Sequence, residues 1–247
     1  MGTVHYKGIV IKEVNTGEAD KIVTVLTAEE GKISVAAKNA RRPKNSLSSG
    51  TQLLCYSDYM LFKGKELYNM SCCEVIESNY EIRNDIVKLT YCSHILELIS
   101  DNVQEGEPAG SILQLLLNTF YVIAKTDRPL ELVTRVFELR LMALLGYEPH
   151  VSSCIKCNST EDHKMYFDLD NSGLVCAECV NPRGRVIPLL PGTVKALKYI
   201  MKINPQKLFS FSLAEQSIKE LGNISGRYIK EHLGKEYNKL DYLKQLM

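Results

Sequence analysis

Four cysteines follow the spacing C-x2-C-x18-C-x2-C, as Cys154-Ile-Lys-Cys157 and Cys176-Ala-Glu-Cys179. A C-x-x-C turn aims two thiolates at one point, and two such turns supply the four soft ligands of a tetrahedral Zn²⁺ ion. The residues between the pairs must then fold back on themselves. Their pattern fits: Met165, Phe167 and Leu169 alternate, Asp170-Asn171-Ser172-Gly173 is turn-forming, and Leu174-Val175 leads back to Cys176. The spacing predicts a zinc-ribbon-like hairpin holding one structural Zn²⁺ per chain. Four thiolates leave no open coordination position, which argues against a catalytic metal. Ser153 and Val175 precede the knuckles, and neither the H-x-E nor the P-C-x-x-C of a zinc deaminase occurs. Redox-active or orphaned cysteines are the competing explanation. His150 and His163 read as ordinary surface histidines.

The other four cysteines, Cys55, Cys72, Cys73 and Cys92, are scattered. The N-terminus has no signal-peptide apolar region, so the chain is expected in the cytoplasm and a disulfide framework is not expected. These four read as core thiols. No run of about eighteen apolar residues occurs, so no membrane span is expected.

Periodicity divides the chain. Residues 4–14, 21–27, 33–37, 52–62 and 66–77 are strand-like, with Gly31 and Gly64 in turns between them. Five short strands in about eighty residues suggest a small barrel. Beyond Tyr80 the period becomes helical, giving helices near 83–101, 111–126 and 129–145, then 194–202, 212–221 and 224–245. The expectation is an α+β protein: an N-terminal five-stranded OB-fold barrel over 1–80, then an all-helical domain over 81–247. The four-cysteine zinc-ribbon-like segment, at about 149–187, is inserted in that second domain.

The net charge of +1 at first argues against a nucleic-acid partner. The sum conceals a gradient: +3 over residues 1–57, −9 over 58–180 and +7 over 181–247. The sharpest basic cluster is Lys38, Arg41, Arg42 and Lys44, in a Pro- and Ser-containing loop with no acidic residue from Gly31 to Ser57. Such a loop can contact phosphates, and Ser46, Ser48 and Ser49 can add hydroxyls; a merely solvated loop is the plain alternative. Tyr6, Tyr56, Tyr59, Phe62 and Tyr68 are barrel aromatics, as core, rim or base-stacking platforms. Near the C-terminus Lys195, Lys198 and Lys202 recur at helical spacing, Lys230, Lys235, Lys239 and Lys244 follow, and Arg183 and Arg185 flank Gly184. These form a solvated surface or a second electropositive patch.

Walker, dinucleotide, HExxH and GxSxG motifs are all missing. Glu18 and Asp20 read as turn residues rather than a paired-carboxylate metal site. The balance favours a binding module over an enzyme. Two other readings stand beside it: a zinc-ribbon protein-interaction scaffold with no direct DNA role, and a nucleic-acid-processing enzyme with an unrecognised site.

In this order the segments resemble the bacterial RecO family of DNA repair proteins over essentially the whole chain. The resemblance rests on Gly8-Ile9-Val10, Gly17-Glu18-Ala19-Asp20-Lys21-Ile22-Val23, Leu26-Thr27, Gly31-Lys32-Ile33 and the loop from Ala37 to Lys44. It continues in Arg135-Val136-Phe137-Glu138-Leu139-Arg140-Leu141, Leu144-Leu145-Gly146-Tyr147 and the four cysteines of the zinc-containing type. Three residues depart from the pattern: Asn39 stands where glycine is usual, Asn45 where serine is common, and Glu13 where a basic or neutral residue is typical. The resemblance implies a non-enzymatic recombination mediator, cytoplasmic and nucleoid-associated. It would bind single- and double-stranded DNA, anneal complementary strands and, with RecR, help load RecA onto single strands coated by single-strand-binding protein (SSB). It also implies a site for the acidic SSB C-terminal tail on the helical domain, for which Arg135, Arg140, Leu144 and Tyr147 are the candidates. The alternative for these is that Leu144 is core and the arginines pair along the helix with Glu131 or Glu138.

Overall fold

A computed structural model describes residues 2–160 and 164–241. His163 and Lys244 lie outside them. The chain forms two compact units, one running to Ala124 and rejoined by the segment from Lys239, the other Lys125–Asn238.

The first unit opens with five strands: β1 (Thr3–Thr16), β2 (Asp20–Thr27), β3 (Lys32–Ala37), β4 (Tyr56–Lys63) and β5 (Tyr68–Glu77). They close into a barrel in the order β1-β2-β3-β5-β4, with β3 and β5 the parallel pair. Alternation decides the interior: Val23, Val25, Ile33, Val35, Tyr59 and Leu61 point inward and are buried. The one-turn helix α1 (Leu47–Gly50) lies between β3 and β4, and its Leu47 joins the barrel core. This is the OB-type arrangement that the strand count suggests.

The single turn α2 (Tyr80–Arg83), α3 (Ile86–Asn102) and α4 (Gly110–Lys125) follow. The sequence assigns these helices to the domain after residue 80, yet their contacts group them with the barrel. The β2–β3 turn explains it. Gly106 N–H donates to the Glu30 carbonyl at 2.9 Å and Ala109 N–H to the Ala28 carbonyl at 2.9 Å. Gly31, in the left-handed region at φ +58°, has no room for a Cβ beside the Gln104 and Glu107 carbonyls. The segment from Lys239 returns to this unit, where Lys239 pairs with Glu97 at 3.3 Å and Leu240 is buried.

The second unit contains α5 (Leu130–Leu144), the cysteine segment, α6 (Pro191–Lys202) and α7 (Glu215–Leu233). The cysteine segment is a three-stranded sheet in the order β7-β6-β8, formed by β6 (Met165–Asp168), β7 (Gly173–Cys176) and β8 (Val186–Leu189). The hairpin is as the sequence predicts; β8 is an addition. The predicted interruption of the last helices near residue 222 is absent. α7 runs through Gly222 because that glycine admits Arg135 of α5: a Cβ there would lie 3.0 Å from the Arg135 Nε. The helix stops at Leu233 rather than near 245, capped by Gly234 at φ +67°; residues 242–245 lie outside the described residues. Among the described residues no helix is long and apolar enough to cross a membrane.

Of the four scattered cysteines, Cys55 and Cys92 are core thiols as expected, Cys73 is half-buried and Cys72 is exposed. Cys72 lies opposite Met60 beside a register shift in β5, on the outer face of the barrel.

Candidate metal centre and nucleic-acid interface

The four ribbon sulfurs lie within 4.8 Å of one another, with Cys157 Sγ 3.7 Å from Cys176 Sγ. Thiolates about 2.3 Å from one tetrahedral ion stand about 3.8 Å apart, so this donor set fits a thiophilic tetrahedral metal ion. Each knuckle is a tight turn. Asn158 takes φ +58° and donates its N–H to the Cys154 carbonyl at 2.9 Å; the Cys179 and Val180 N–H groups donate to the Cys176 carbonyl at 3.1 and 2.9 Å. Burial opposes ionisation of Cys154, but N–H groups of Cys157, Cys176 and Lys156 point at its sulfur and bring the thiol down to about 6. Sharing protons with Cys176 and Cys157 pushes Cys179 up to about 12. Four thiolates this close repel one another, and a bound cation removes that repulsion.

Arg185 fastens the ribbon to α7. Its Nε donates to Asp170 at 2.6 Å, and its two terminal nitrogens donate to the Glu231 carboxylate at 2.6 and 3.0 Å. Hydrogen bonding from Arg185 lowers the carboxyl values of both Asp170 and Glu231. The sequence places Arg185 in a basic patch; its partners, 15 and 46 residues away, give it a structural post instead.

The loop after β3 carries Lys38, Arg41, Arg42 and Lys44, all exposed. Its ends are fixed while its cations face solvent. Ala40 and Leu47 enter the barrel core. Asn39 N–H donates to the Asp20 carboxylate at 2.6 Å and Arg41 N–H to the Ala19 carbonyl at 2.9 Å. Asp20 thus positions this loop, a role that turn chemistry alone does not reveal. Asn39 sits at φ +56°, a conformation natural to glycine and tolerated by asparagine. The substitution at this position is therefore compatible with a glycine-type backbone. Beside the loop, Ile22, Ala36 and Asn69 form one cross-strand row and Thr24 and Ser34 another. These side chains alternate with the inward ones, so Ile22, Thr24, Ser34, Ala36 and Asn69 form an uncharged patch on the outer faces of β2, β3 and the start of β5.

The aromatic candidates separate. Tyr59 is fully buried, and its hydroxyl donates to the Gly50 carbonyl at 2.8 Å. Tyr6 and Tyr68 pack edge-on at 6.2 Å against the barrel core. Tyr56 is half-buried, and Phe62 is exposed beside exposed Lys63 and Lys65.

Within the second unit, Arg135 donates to both oxygens of Glu138 at 2.9 and 3.0 Å. Arg140 donates to the carbonyls of Ile200 and Met201 at 3.0 and 2.7 Å, at the end of α6. Leu144 and Tyr147 are partly exposed, and Tyr147 packs against His232 with ring centroids 5.0 Å apart. The two arginines thus serve the packing of α5, while Lys195, Lys198 and Lys202 line a hollow of about 350 Å³ with Tyr199 and Ile203.

Two family models match the chain: "Recombination protein O N terminal" over residues 1–79 and "Recombination protein O C terminal" over residues 83–241. The chain is 50% identical over 247 residues to the DNA repair protein RecO of Acetivibrio thermocellus, covering 100% of this chain and 98% of that one. It is 34% identical over 244 residues to the DNA repair protein RecO of Caldicellulosiruptor saccharolyticus, covering 99% of each. For that of Alkaliphilus metalliredigens the identity is 32% over 241 residues, covering 97% of this chain and 98% of the relative.

Proposed function

The chain belongs to the recombination protein O (RecO) family of DNA repair proteins, and from that premise we propose that it is a non-enzymatic mediator of recombinational repair. In this reading it binds single- and double-stranded DNA and anneals complementary strands. With RecR it helps load RecA onto SSB-coated single strands. The observation that carries the reading is the loop of Lys38, Arg41, Arg42 and Lys44, anchored at both ends and exposed at all four cations. Anchored cations contact phosphates with little ordering cost, and neutralising two backbones at one surface removes the main repulsion between strands. The small uncharged side chains of Thr24, Ser34, Ala36 and Asn69 on the outer faces of these strands leave room for bases.

The metal is Zn²⁺ in this reading, held by Cys154, Cys157, Cys176 and Cys179. It would supply a structural cross-link and no chemistry on DNA. The SSB tail, acidic and apolar, is better matched by the α6 hollow than by Arg135 and Arg140. Lys195, Lys198 and Lys202 there surround an aromatic and an aliphatic side chain.

Salt titration of binding to single-stranded DNA tests the loop. Arg41→Ala/Arg42→Ala is expected to weaken binding and to reduce the slope of log affinity against log salt by about 1.4. It is also expected to slow annealing of SSB-coated strands. An unchanged affinity and slope would return the protein to the scaffold reading.

A further inference from the structure

We infer that His5, Met60 and Cys72 form a site for a soft monovalent metal ion, Cu(I), on the outer face of the barrel. The register sets them in one row across three strands: His5 of β1 is the partner of Met60 of β4, and Met60 is the partner of Cys72 of β5. Their chain neighbours fix the face. Val4, Tyr6, Tyr59, Leu61 and Cys73 belong to the barrel core or pack against it, so the three residues that alternate with them point outward. The His5 side chain is 60% exposed, Cys72 is exposed, and Met60 is half-buried in the middle of the row.

The row brings together an imidazole, a thioether and a thiol. Side chains directly opposite on paired strands start about 5 Å apart, so His5 and Cys72 flank Met60 closely enough for all three donors to reach one ion above it. The unbranched Met60 side chain lets its sulfur follow the ion. β5 carries an extra residue at this point: Met60 faces Cys72 and Leu61 faces Met70, which leaves Ser71 over. A bulge of this kind re-aims the side chains beside it.

The donors select the metal. A thioether is a poor ligand for hard cations, whereas thiolate with thioether favours Cu(I), which imidazole also suits. The Asp58 carboxylate stands 3.8 Å from the Nδ1 of His5, on the side from which carboxylates orient ligating histidines, and Nε2 is left for the ion. In the next row Lys7, Asp58 and Glu74 are partners across the same three strands, one cation beside two carboxylates, and that excess favours a bound cation. Binding forms a Cu–S bond at Cys72 and releases its thiol proton to solvent; the copper stays Cu(I) and nothing is oxidised. The ion then ties β1, β4 and β5 together, in a different compact unit from the four-cysteine cluster.

The test is an anaerobic titration of the full-length chain, supplied with zinc and carbon-13-labelled at its methionine methyls, with Cu(I) buffered by bicinchoninate. Met60→Leu assigns the Met60 methyl signal. That signal is expected to shift with the first equivalent of copper, with zinc retained, and copper is expected to raise the melting temperature. Cys72→Ser is expected to weaken the site about tenfold or more, and His5→Ala and Met60→Leu each several-fold. Without copper the three variants should melt with the unaltered chain. An unmoved Met60 signal overturns the inference. Copper uptake matched by zinc release also overturns it, by placing the ion at the four-cysteine cluster. So does binding that falls in Cys72→Ser alone, which reduces the site to a single thiol.

Discussion

Glu138 is 1% exposed, and its carboxylate survives there because Arg135 reaches both oxygens and Ser225 donates to one at 2.6 Å. Arg135→Ala is expected to cost about 3–5 kcal/mol by stranding that charge, read as a lower denaturant midpoint. Arg135→Met/Glu138→Leu should recover much of the loss. A poor tail-binding result for Arg135→Ala alone would therefore report damage to the fold. Arg185 acts at the surface, and its effect depends on pH. Asp170 and Glu231 have values below their usual 3.8 and 4.5 in the folded chain. Their pairing therefore stabilises fully above about pH 4.5 and is lost as pH falls through the lowered folded values. The melting temperatures of the unaltered chain and Arg185→Ala should differ at pH 7 and converge in acid. A difference that persists at the lowest pH would remove the carboxylates from the explanation.

At the scale of elements, the barrel depends on close approach between β1 and β2. A Cβ on Gly8 would lie 2.5 Å from Val25 Cγ1 and 2.7 Å from the Leu26 carbonyl oxygen, which is backbone and cannot swing away. Gly8→Ala is expected to destabilise by roughly 1–3 kcal/mol, seen as a fall in the melting temperature. Gly226→Ala, with open space at its Cβ, is the control and should not lower it. The strands were legible because burial on one face imposes a period of two, and Val23/Val25 against Ile22/Thr24 displays it. The cysteine hairpin was legible because four ligands to one point are a constraint written into local spacing. Strand β8, α1 and the uninterrupted α7 were not. Val186–Leu189 has too few residues to show a period, and Gly222 looks like a helix break until its neighbour Arg135 is seen.

At the scale of the whole molecule, the four-cysteine cluster and the basic loop belong to different compact units. If the cysteines hold a metal and the loop holds DNA as proposed, chelation is expected to lower the melting temperature while leaving affinity for single-stranded DNA within about twofold, because phosphate contacts made by the loop would be local. Parallel metal analysis and DNA titration would check this, and a large loss of DNA affinity on chelation would count against the assignment of binding to the loop. The net charge of +1 is an average over parts with different surroundings. The strand and helix periods, the ribbon spacing, the basic cluster and the family pattern are properties of neighbours along the chain, so the sequence by itself determined them. The tertiary structure alone decided which charges serve the fold and which remain at the surface. Arg185 meets Asp170 and Glu231, Arg135 meets Glu138 and Ser225, and Asp20 holds the loop at Asn39. A side chain's task depends on partners that folding brings within about 3 Å, and except for the local Arg135–Glu138 pair those partners lie far away in the sequence.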